Sequence, residues 1–510
     1  MGICAGSYGI FWNRSVSGLN FIFTSDGHGH ILPSKAYWKK DNPDIGGLSA
    51  VDSYLKTVNP PYILTDSGDF FQGTPEGIST KGSLVVKLMN VLEYDALAVG
   101  NHDFDFGLEV LRDLSRSADF PFLCANVKEK DTKAIPAYFK DHIIKELNGV
   151  KIGVIGVITP NMDKLTIEEN IKGLSFYSQK EDINKITKQI QEKGVKINIL
   201  LSHLGVDKDK KIADELDDID VILGGHTHKR LDPPIKVDRT IICQPGYNFV
   251  NIGHLKLYYS KIEDKLLSYS HKLVPLYKEK YPGTERIDNI LKTDLKDVKE
   301  KMAQVIGESK VYMTNHLTGE AKKHGELAIG NWQTDLMRET LETDFAFQNT
   351  GGIRASIPKG EITLRDMWEI SPFGNTLVEM TMTGKQIRKL LEQSAARKYS
   401  KLQVSGLKMV YNDSLPVGKR VLNIIVEDEE GQKKEIEDDR EYLIVTNSFL
   451  AQGASGYTVF KQGTEVNETS IVLRDLEIKY IKENSPIYAE VEGRLINVSM
   501  EKTAENTSKK

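Results

Sequence analysis

The chain has 510 residues, of which 40% are hydrophobic and 27% are charged. That length exceeds what one ordinary hydrophobic core organises, so we expect two or more globular domains. The formal net charge of −5 is small for this length, which excludes a general electrostatic affinity for nucleic acid.

The sequence carries few signals of cellular location or of redox chemistry. No segment is long and apolar enough to cross a bilayer, and the first twenty residues lack the basic and apolar segments of a signal peptide. Cys4, Cys124 and Cys243 are far apart and form no CxxC pair, so we expect buried thiols rather than disulfides. The sequence therefore assigns neither a compartment nor an oligomeric state.

From residue 20 to residue 275, short apolar runs alternate with helical stretches, a pattern typical of a layered α/β architecture. Five of these runs end in a polar motif rich in metal-binding side chains. The motifs are Thr24-Ser25-Asp26-Gly27-His28, Ser67-Gly68-Asp69, Gly100-Asn101-His102-Asp103, Ser202-His203-Leu204-Gly205 and Gly224-Gly225-His226-Thr227-His228. Because loops at the carboxyl ends of buried strands form sites in α/β sheets, we expect these motifs to meet.

The side chains of these motifs favour metal binding. Carboxylate, imidazole and carboxamide groups that converge on one place suit divalent ions such as Zn²⁺ or Mn²⁺. A single histidine after a strand is more often a hydrogen-bonded structural residue than a ligand. Five motifs in compatible order instead predict a site for two metal ions.

Past this region the pattern changes. Apolar residues recur at helical spacing from about residue 285 to residue 305, which predicts an amphipathic helix that either connects two domains or belongs to the second. A second α/β region follows, from 306 to 498. Helices are predicted mainly over 321–341 and over 385–396, and strands over 377–382, 404–411, 421–426 and 442–446.

The motifs, in this order, resemble the 5′-nucleotidase family of calcineurin-like metallophosphoesterases, which includes the bacterial UDP-sugar hydrolases. The resemblance covers nearly the whole chain, because three motifs of the second half look like that family's substrate-binding domain. These are Asn349-Thr350-Gly351-Gly352-Ile353-Arg354, Pro372-Phe373-Gly374-Asn375-Thr376 and Asn447-Ser448-Phe449-Leu450-Ala451. The resemblance implies an α/β fold with a four-layer metallophosphoesterase sandwich over 20–280, a connecting helix over 281–305 and an α/β substrate-binding domain over 306–498. It also suggests an extracytoplasmic location.

The resemblance further implies roles for individual residues. Two divalent ions, Zn²⁺ or Mn²⁺, are expected to bind to two ligand sets that share Asp69 as a bridge. The first set is Asp26, His28, Asp69 and His228, and the second is Asp69, Asn101, His203 and His226. His102 and Asp105 match the family's catalytic dyad, although a structural His–Asp hydrogen bond is the alternative.

In the second half, the resemblance assigns phosphate binding to Arg354 and Asn349, and a nucleobase clamp to Phe373 and Phe449. Two positions depart from the family pattern. Lys323 stands where many members have a second phosphate-binding arginine, which keeps the charge but loses the planar fork. Ser455 stands where they have an aspartate for the ribose hydroxyls, so ordinary ribonucleotide recognition is in doubt.

The function expected from these motifs is a two-metal phosphohydrolase that releases phosphate from nucleoside monophosphates. Activity as a 2′,3′-cyclic-nucleotide phosphodiesterase with 3′-nucleotidase activity, or as a nucleotide-sugar hydrolase, stays open within the same chemistry. A binding protein that kept the fold and lost catalysis is the alternative from another class. The intact ligand set argues against it, because a pure binding module does not need two metals.

Overall fold

The computed structural model describes residues 16–36, 39, 41–317, 323–397, 401–427 and 431–500. Close contacts between Cα atoms divide the chain into two compact units, Met1–Val298 and Lys299–Lys510. Among the helices of the described ranges, none combines the length and the apolar character that crossing a bilayer requires.

The first unit is built around two six-stranded sheets. Its strands are β1 Val16–Thr24, β2 Ser34–Lys35, β3 Asp44–Ile45, β4 Tyr62–Asp66, β5 Ala96–Ala98, β6 Phe122–Leu123, β7 Val127–Glu129, β8 His142–Leu147, β9 Val150–Ile158, β10 Leu174–Phe176, β11 Ile197–His203, β12 Val221–Gly224, β13 Ile235–Val237, β14 Thr240–Cys243, β15 Asn251–Ser260 and β16 Lys265–Pro275. The strand orders are β16-β15-β1-β4-β5-β6 and β13-β14-β12-β11-β9-β8.

Each large sheet has a parallel centre. β1, β4, β5 and β6 run parallel to one another, and so do β9, β11, β12 and β14. Parallel strands end at the same edge of a sheet, so the polar residues that follow them collect along that edge. The buried strands carry apolar side chains on both faces, as parallel sheets covered on both sides do.

The apolar side chains of this unit form three layers of contact. Residues such as Phe21 and Ile63 of one sheet pack against Val154 and Ile199 of the other. Helices cover the two outer faces. Those on the first sheet are Leu48–Leu55, Ser83–Val91, Gly107–Ser117 and Glu285–Asp294, and those on the second are Gln179–Gln191 and Val206–Glu215. The order helix, sheet, sheet, helix confirms the predicted four-layer sandwich.

The amphipathic segment near residue 300 forms two helices, Glu285–Asp294 and Lys296–Met302, where the sequence predicted one. Leu295 separates them with non-helical dihedral angles, φ −107° and ψ 6°. Its side chain, with those of Ile287 and Leu291, joins the core of the first unit. The apolar stripe therefore anchors the first of these helices on that unit.

The second unit is also α/β. Its strands are β17 Val305–Ser309, β18 Phe345–Asn349, β19 Gly360–Thr363, β20 Thr376–Thr383, β21 Leu402–Ser405, β22 Leu407–Tyr411, β23 Val421–Glu427, β24 Lys433–Glu435, β25 Glu441–Asn447, β26 Thr464–Val472 and β27 Leu495–Asn497. Its α-helices span Ala328–Thr340, Leu364–Ile370, Gly384–Ala395, Ser448–Ala451 and Leu473–Asn484. A five-stranded sheet, β21-β18-β25-β20-β26, and a four-stranded sheet, β24-β23-β22-β27, dominate it.

Two predicted elements of this unit differ from the structure. The strand predicted over 404–411 is divided at Gly406, whose φ of +81° bends the chain out of one sheet and into the next. The helix predicted over 321–341 is interrupted: Lys323 and His324 are helical, residues 325–327 are not, and a helix spans Ala328–Thr340, while residues 321 and 322 lie outside the described residues. Cys124 and Cys243 are buried free thiols, as expected, while Cys4 lies outside the described residues.

Candidate functional site

The seven residues predicted as metal ligands lie at the carboxyl edges of the parallel strands. His203 is the last residue of β11, and the others follow their strands within a few positions. Asp26 and His28 follow β1, Asp69 follows β4, Asn101 follows β5, and His226 and His228 follow β12. The two large sheets therefore contribute ligands from facing edges.

Two groups of possible ligand atoms form within this set. The atoms of Asp26, His28 and His228 lie within 4.8 Å of one another, and so do those of Asp26, Asp69 and His203. Asp26 belongs to both groups. Asp69 Oδ2 also faces both, at 3.2 Å from His203 Nε2 and 3.9 Å from His28 Nε2. Two adjacent cation positions are compatible with this arrangement.

Asn101 and His226 stand beside these groups. Asn101 Oδ1 lies 2.8 Å from His226 Nδ1. The backbone N–H of His226 donates to Asp26 Oδ1 at 2.9 Å, and Ser25 Oγ donates to Asp26 Oδ2 at 2.6 Å. These bonds fix the Asp26 carboxylate, and they bring all seven predicted ligands into one neighbourhood.

The hydrogen bonds of two imidazole rings set their tautomers. His28 Nδ1 lies 2.8 Å from the carbonyl oxygen of Gln72, and His203 Nδ1 lies 2.6 Å from that of Ser67. Since a carbonyl oxygen only accepts, both Nδ1 atoms carry a proton, and Nε2 is the nitrogen that each ring can offer to a cation once it is deprotonated. His28 Nε2 faces His228 Nε2 at 3.1 Å. His203 Nε2 has no partner in hydrogen-bond geometry among the described residues, despite the nearby carboxylate. Converging lone pairs of this kind fit a bound cation.

The backbone is strained at five of the seven positions. The φ angles are +50° at Asp26, +46° at His28, +56° at Asp69, +73° at His226 and +55° at His228. Left-handed conformations of residues other than glycine cost about 1–3 kcal/mol each and cluster at functional sites. Here they turn successive side chains of short loops toward a common point.

Asp103 organises the backbone beneath Asp69. Its buried carboxylate accepts from the backbone N–H groups of Asp69, Phe70 and Gly100 at 3.1, 3.0 and 2.7 Å. A Cβ atom at Gly100 would lie only 2.2 Å from Asp69 Oδ1, so this position requires glycine. Through these contacts Asp103 orients the backbone of Asp69.

Burial and the charges of neighbouring groups shift the pKa values of the residues in this site. Burial raises the pKa of Asp26 to about 7. Burial would also raise the pKa of Asp69, but the charges of His203 and His102 hold it well below its ordinary value. Burial would lower the pKa of His203, but Asp69 raises it to about 10, whereas burial and the charge of His203 lower the pKa of His226 to about 3. Opposite shifts within one buried cluster are typical of functional sites.

His102 and Asp105 form the predicted pair. His102 Nδ1 lies 2.8 Å from Asp105 Oδ2, and the short helical turn His102–Phe104 sets this spacing. The backbone N–H of His102 donates to Asp69 Oδ1 at 2.8 Å, and its ring centroid lies 5.6 Å from that of His28. The His102 side chain remains 19% exposed, so it can reach a substrate next to the ligand cluster.

Sequence reasoning missed two residues that support the site. Tyr247 stacks on His228, with ring centroids 5.2 Å apart and an interplanar angle of 21°. Gln244 is fully buried, and its Oε1 accepts from Thr227 Oγ1 and from the backbone N–H of Lys229, both at 2.9 Å. Both residues follow β14 just as the five motifs follow their strands, a signal that could have found them.

The predicted substrate residues all lie in the second unit. Asn349 ends β18, Arg354 and Phe373 occupy the loops that follow β18 and precede β20, and Phe449 lies in the helix after β25. The Arg354 guanidinium carbon is 6.0 Å from the Phe373 ring centroid. The Phe449 side chain is half-buried in the helix Ser448–Ala451.

Lys323 and Ser455, the two positions that depart from the family pattern, differ in their exposure to solvent. Lys323 is exposed, at the first described residue after a gap. Ser455 is half-buried in the turn Ala454–Gly456, where its φ of +52° is left-handed. Its neighbour Gly453 also has a positive φ, of +76°. The loop that carries Ser455 is therefore tightly bent.

Comparisons with known proteins cover both units. The sequence matches the calcineurin-like phosphoesterase family over residues 19–230 and the 5′-nucleotidase C-terminal domain over residues 305–462. The structure is similar to the crystal structure of a 5′-nucleotidase precursor from Thermus thermophilus, with a TM-score of 0.85 and 30% identity. The match covers 94% of this chain and 99% of that one. The chain belongs to the 5′-nucleotidase family of calcineurin-like metallophosphoesterases.

Two further relatives support the same family assignment. The chain is 29% identical to a snake venom 5′-nucleotidase from Crotalus adamanteus over 538 residues, which covers 94% of the chain and 88% of that protein. It is 28% identical to the trifunctional nucleotide phosphoesterase protein YfkN of Bacillus subtilis (strain 168) over 531 residues. That match covers 94% of the chain but only 35% of the length of the Bacillus protein. Family membership makes the chain a metal-dependent phosphoester hydrolase, and the Asp and His groups of the first unit supply a donor set for its divalent ions.

Proposed function

We propose that the protein removes phosphate from nucleoside monophosphates at a centre of two divalent ions, Zn²⁺ or Mn²⁺. The observation that carries this proposal is the convergence of seven carboxylate, imidazole and carboxamide side chains next to the His102–Asp105 pair. Residues 20–280 would hold the metals, and residues 306–498 would bind the nucleoside. The nucleotide names of the relatives support this choice of substrate class.

The ligands divide into two sets. Asp26, His28, Asp69 and His228 would hold one ion, and Asp69, Asn101, His203 and His226 would hold the other. The support is chemical: these side chains offer the nitrogen and oxygen donors that borderline divalent ions prefer, and their lone pairs converge. When bound, such ions neutralise charge on the phosphoryl oxygens as Lewis acids.

His102 would act on the phosphoryl group from the rim of the ligand cluster. Asp105 holds Nδ1, so that Nε2 can donate a hydrogen bond or a proton to an oxygen of the substrate. The carboxylate of Asp105 also favours the charged imidazolium, which stabilises negative charge that develops in the transition state.

The second unit would bind the rest of the nucleotide. Arg354 is exposed, and its guanidinium can bind a phosphate oxygen pair bidentately. Asn349 would add a donor, while Phe373 and Phe449 would stack on the base. Lys323 and Ser455 would complete the site with a point charge and a single hydroxyl.

A phosphate-release screen tests this proposal. Nucleoside 5′-monophosphates, 3′-monophosphates, 2′,3′-cyclic nucleotides and nucleotide sugars are each incubated with the full chain and Mn²⁺ or Zn²⁺. We expect the highest kcat/KM for a nucleoside 5′-monophosphate. A higher kcat/KM for a cyclic nucleotide or a nucleotide sugar would replace the proposed substrate. No release from any of them would contradict nucleotide hydrolysis altogether.

A further inference from the structure

A continuous chain of buried polar side chains runs through the second unit. It begins at Glu477 in the helix Leu473–Asn484, passes Gln333 in the helix Ala328–Thr340 and Gln348 in β18, and reaches Asn447 and Asn349. Each of the five side chains is at most 4% exposed. Polar groups at this depth cost stability unless their partners are all in place.

The hydrogen bonds of this chain point in one direction. Gln333 Nε2 donates to Glu477 Oε1 at 2.6 Å, so Gln333 Oε1 faces Gln348 Nε2, at 3.4 Å. Gln348 Oε1 accepts from Asn447 Nδ2, which also donates to Asn349 Oδ1 at 3.1 Å. Because Asn349 Oδ1 is an acceptor here, the Nδ2 group of Asn349 is the one that can donate to a ligand.

The same chain of hydrogen-bonded side chains also fixes the backbone of the loop that contains Phe449. Asn447 Oδ1 accepts from the backbone N–H of Leu450 at 2.8 Å and thereby caps the short helix Ser448–Ala451, which contains Phe449. If the amide of Asn447 reversed, its Nδ2 would face the N–H group of Leu450 and the cap would be lost. The direction set at Glu477 and the cap at Asn447 therefore require each other.

The chain also contacts the loop of Phe373. Gln333 Nε2 donates to Ser371 Oγ at 3.2 Å, two residues before Phe373. Arg474 lies in the same helix as Glu477, and its Nη1 donates to the carbonyl oxygens of Ser371 and Pro372, both at 3.3 Å. Three segments that are distant in sequence, and that carry the predicted substrate residues, thus share one buried support.

We propose that Gln333 and Glu477 are positioning residues, which orient the Asn349 amide and hold the Phe373 and Phe449 loops for substrate. Replacing buried hydrogen-bonded groups by apolar groups of the same shape is often neutral for stability, so a role in geometry accounts for this chain of bonds better than stability does. This inference rests on the proposed function, because it takes Asn349 as a contact to the nucleotide.

The test interrupts this chain of hydrogen-bonded side chains at two places. Glu477→Met removes the terminal acceptor, and Gln333→Met removes the central amide, each with a side chain of similar size. With the mononucleotide that gives the highest kcat/KM in the screen, we expect KM to rise about 3- to 10-fold, the worth of one hydrogen bond. We expect kcat to change little, because uniform binding is lost. Glu477→Gln keeps an oxygen acceptor and should restore KM.

A double-mutant cycle separates positioning from general damage. In an Asn349→Ala background, Glu477→Met should no longer raise KM, since the group it orients is absent. Asn331→Leu is the matched control: Asn331 is buried on the same helix and bonds to Glu326 and to the Glu490 carbonyl, outside this chain. It should lower stability without a change in KM that depends on Asn349.

Each outcome has a distinct meaning. If Asn349→Ala alone leaves KM unchanged, the substrate role of Asn349 in the proposed function fails. If Asn349→Ala raises KM but neither methionine variant does, or if their effect persists without Asn349, the positioning role is wrong. Should a methionine variant not fold, Ser371→Ala removes the hydroxyl that contacts both Gln333 and Glu477 and is measured in the same cycle.

Discussion

At the scale of single residues, the proposed site consists mainly of buried carboxylates and imidazoles that contact one another. Asp69 is buried, faces two histidines, and accepts from the backbone of His102 through its other oxygen. The loss of one charge at this position affects every neighbour at once. His102, in contrast, has Asp105 as its own partner and can be removed alone.

Asp69→Asn is expected to reduce the bound metal from two ions per chain and to abolish most of the activity. The amide keeps the shape of the side chain but removes the negative charge that would hold the cations. Metal analysis of the purified variant measures the change. Asp207→Asn, at a fully exposed side chain of the same unit, is the control and should keep both ions. Two retained ions with near-normal kcat in Asp69→Asn would exclude the bridging role.

His102→Ala is expected to lower kcat about 10²- to 10⁴-fold, the range for a positioned acid or base. Metal content should stay intact, because the proposed ligands do not include His102. His254→Ala, which removes a histidine that lies 2.8 Å from the Tyr54 hydroxyl, should leave kcat near normal. A loss of metal in His102→Ala would instead identify His102 as a ligand.

At the scale of secondary-structure elements, tight turns that follow strands position most of the predicted site residues. The turn Ala454–Gly456 is one of them, and it carries the left-handed Ser455, which the resemblance to the family aligns with an aspartate for the ribose hydroxyls. Asp and Asn adopt the left-handed conformation more readily than most residues. The backbone of this turn can therefore accept either of them.

Ser455→Asp is expected to lower KM for a ribonucleotide more than for the matching deoxyribonucleotide. A carboxylate can accept from both ribose hydroxyls, and a charged acceptor contributes about 1.5–3 kcal/mol per bond before the cost of desolvation. Ser455→Asn fits the same backbone without the charge and serves as the control. Equal changes in KM for the two nucleotides would show that Ser455 only shapes the turn.

At the scale of the whole molecule, stability also depends on buried charged groups that are not among the predicted metal ligands. Glu477 in the second unit is the clearest case, because burial raises its pKa to about 8 while Ser371, Gln333 and Arg474 oppose the shift. The native state therefore holds this proton at pH values where the unfolded chain has released it. This difference in proton binding stabilises the native state. The stabilisation is fully present below pH 4.5, the ordinary pKa of a glutamate carboxyl, and it is lost as the pH rises through about 8, the pKa of Glu477 in the native state.

We therefore expect the second unit to lose local stability between these two pH values. Hydrogen exchange of the helix Leu473–Asn484, corrected for the intrinsic pH dependence of exchange, measures the free energy of local unfolding. Glu477→Gln cannot ionise and should show a flatter dependence on pH. Equal slopes in the two proteins would mean that Glu477 is ionised in the native state throughout.

Much of the fold could be predicted from local patterns. Apolar runs that end in polar motifs identified the strands β1, β4, β5, β11 and β12, because burial of a parallel strand and the polar loop after it both leave local traces. The helix predicted over 285–305 and the strand predicted over 404–411 were each divided in two. The strand breaks at Gly406 because its two halves join different sheets, a choice that no local pattern encodes. The helix breaks at Leu295, whose dihedral angles are not helical.

The sequence by itself determined where the motifs that carry the predicted metal-binding and phosphate-binding side chains lie, since motif chemistry is local and the first five motifs each mark a strand end. Only the tertiary structure decided how these groups are held. The clamp of Asp103 on the backbone of Asp69, the stacking of Tyr247 on His228, and the bond between Gln333 and Glu477 all join segments that are not adjacent. Gln333 and Glu477 lie 144 positions apart. Contacts over such separations depend on the folded path of the chain, so no spacing in the sequence reveals them.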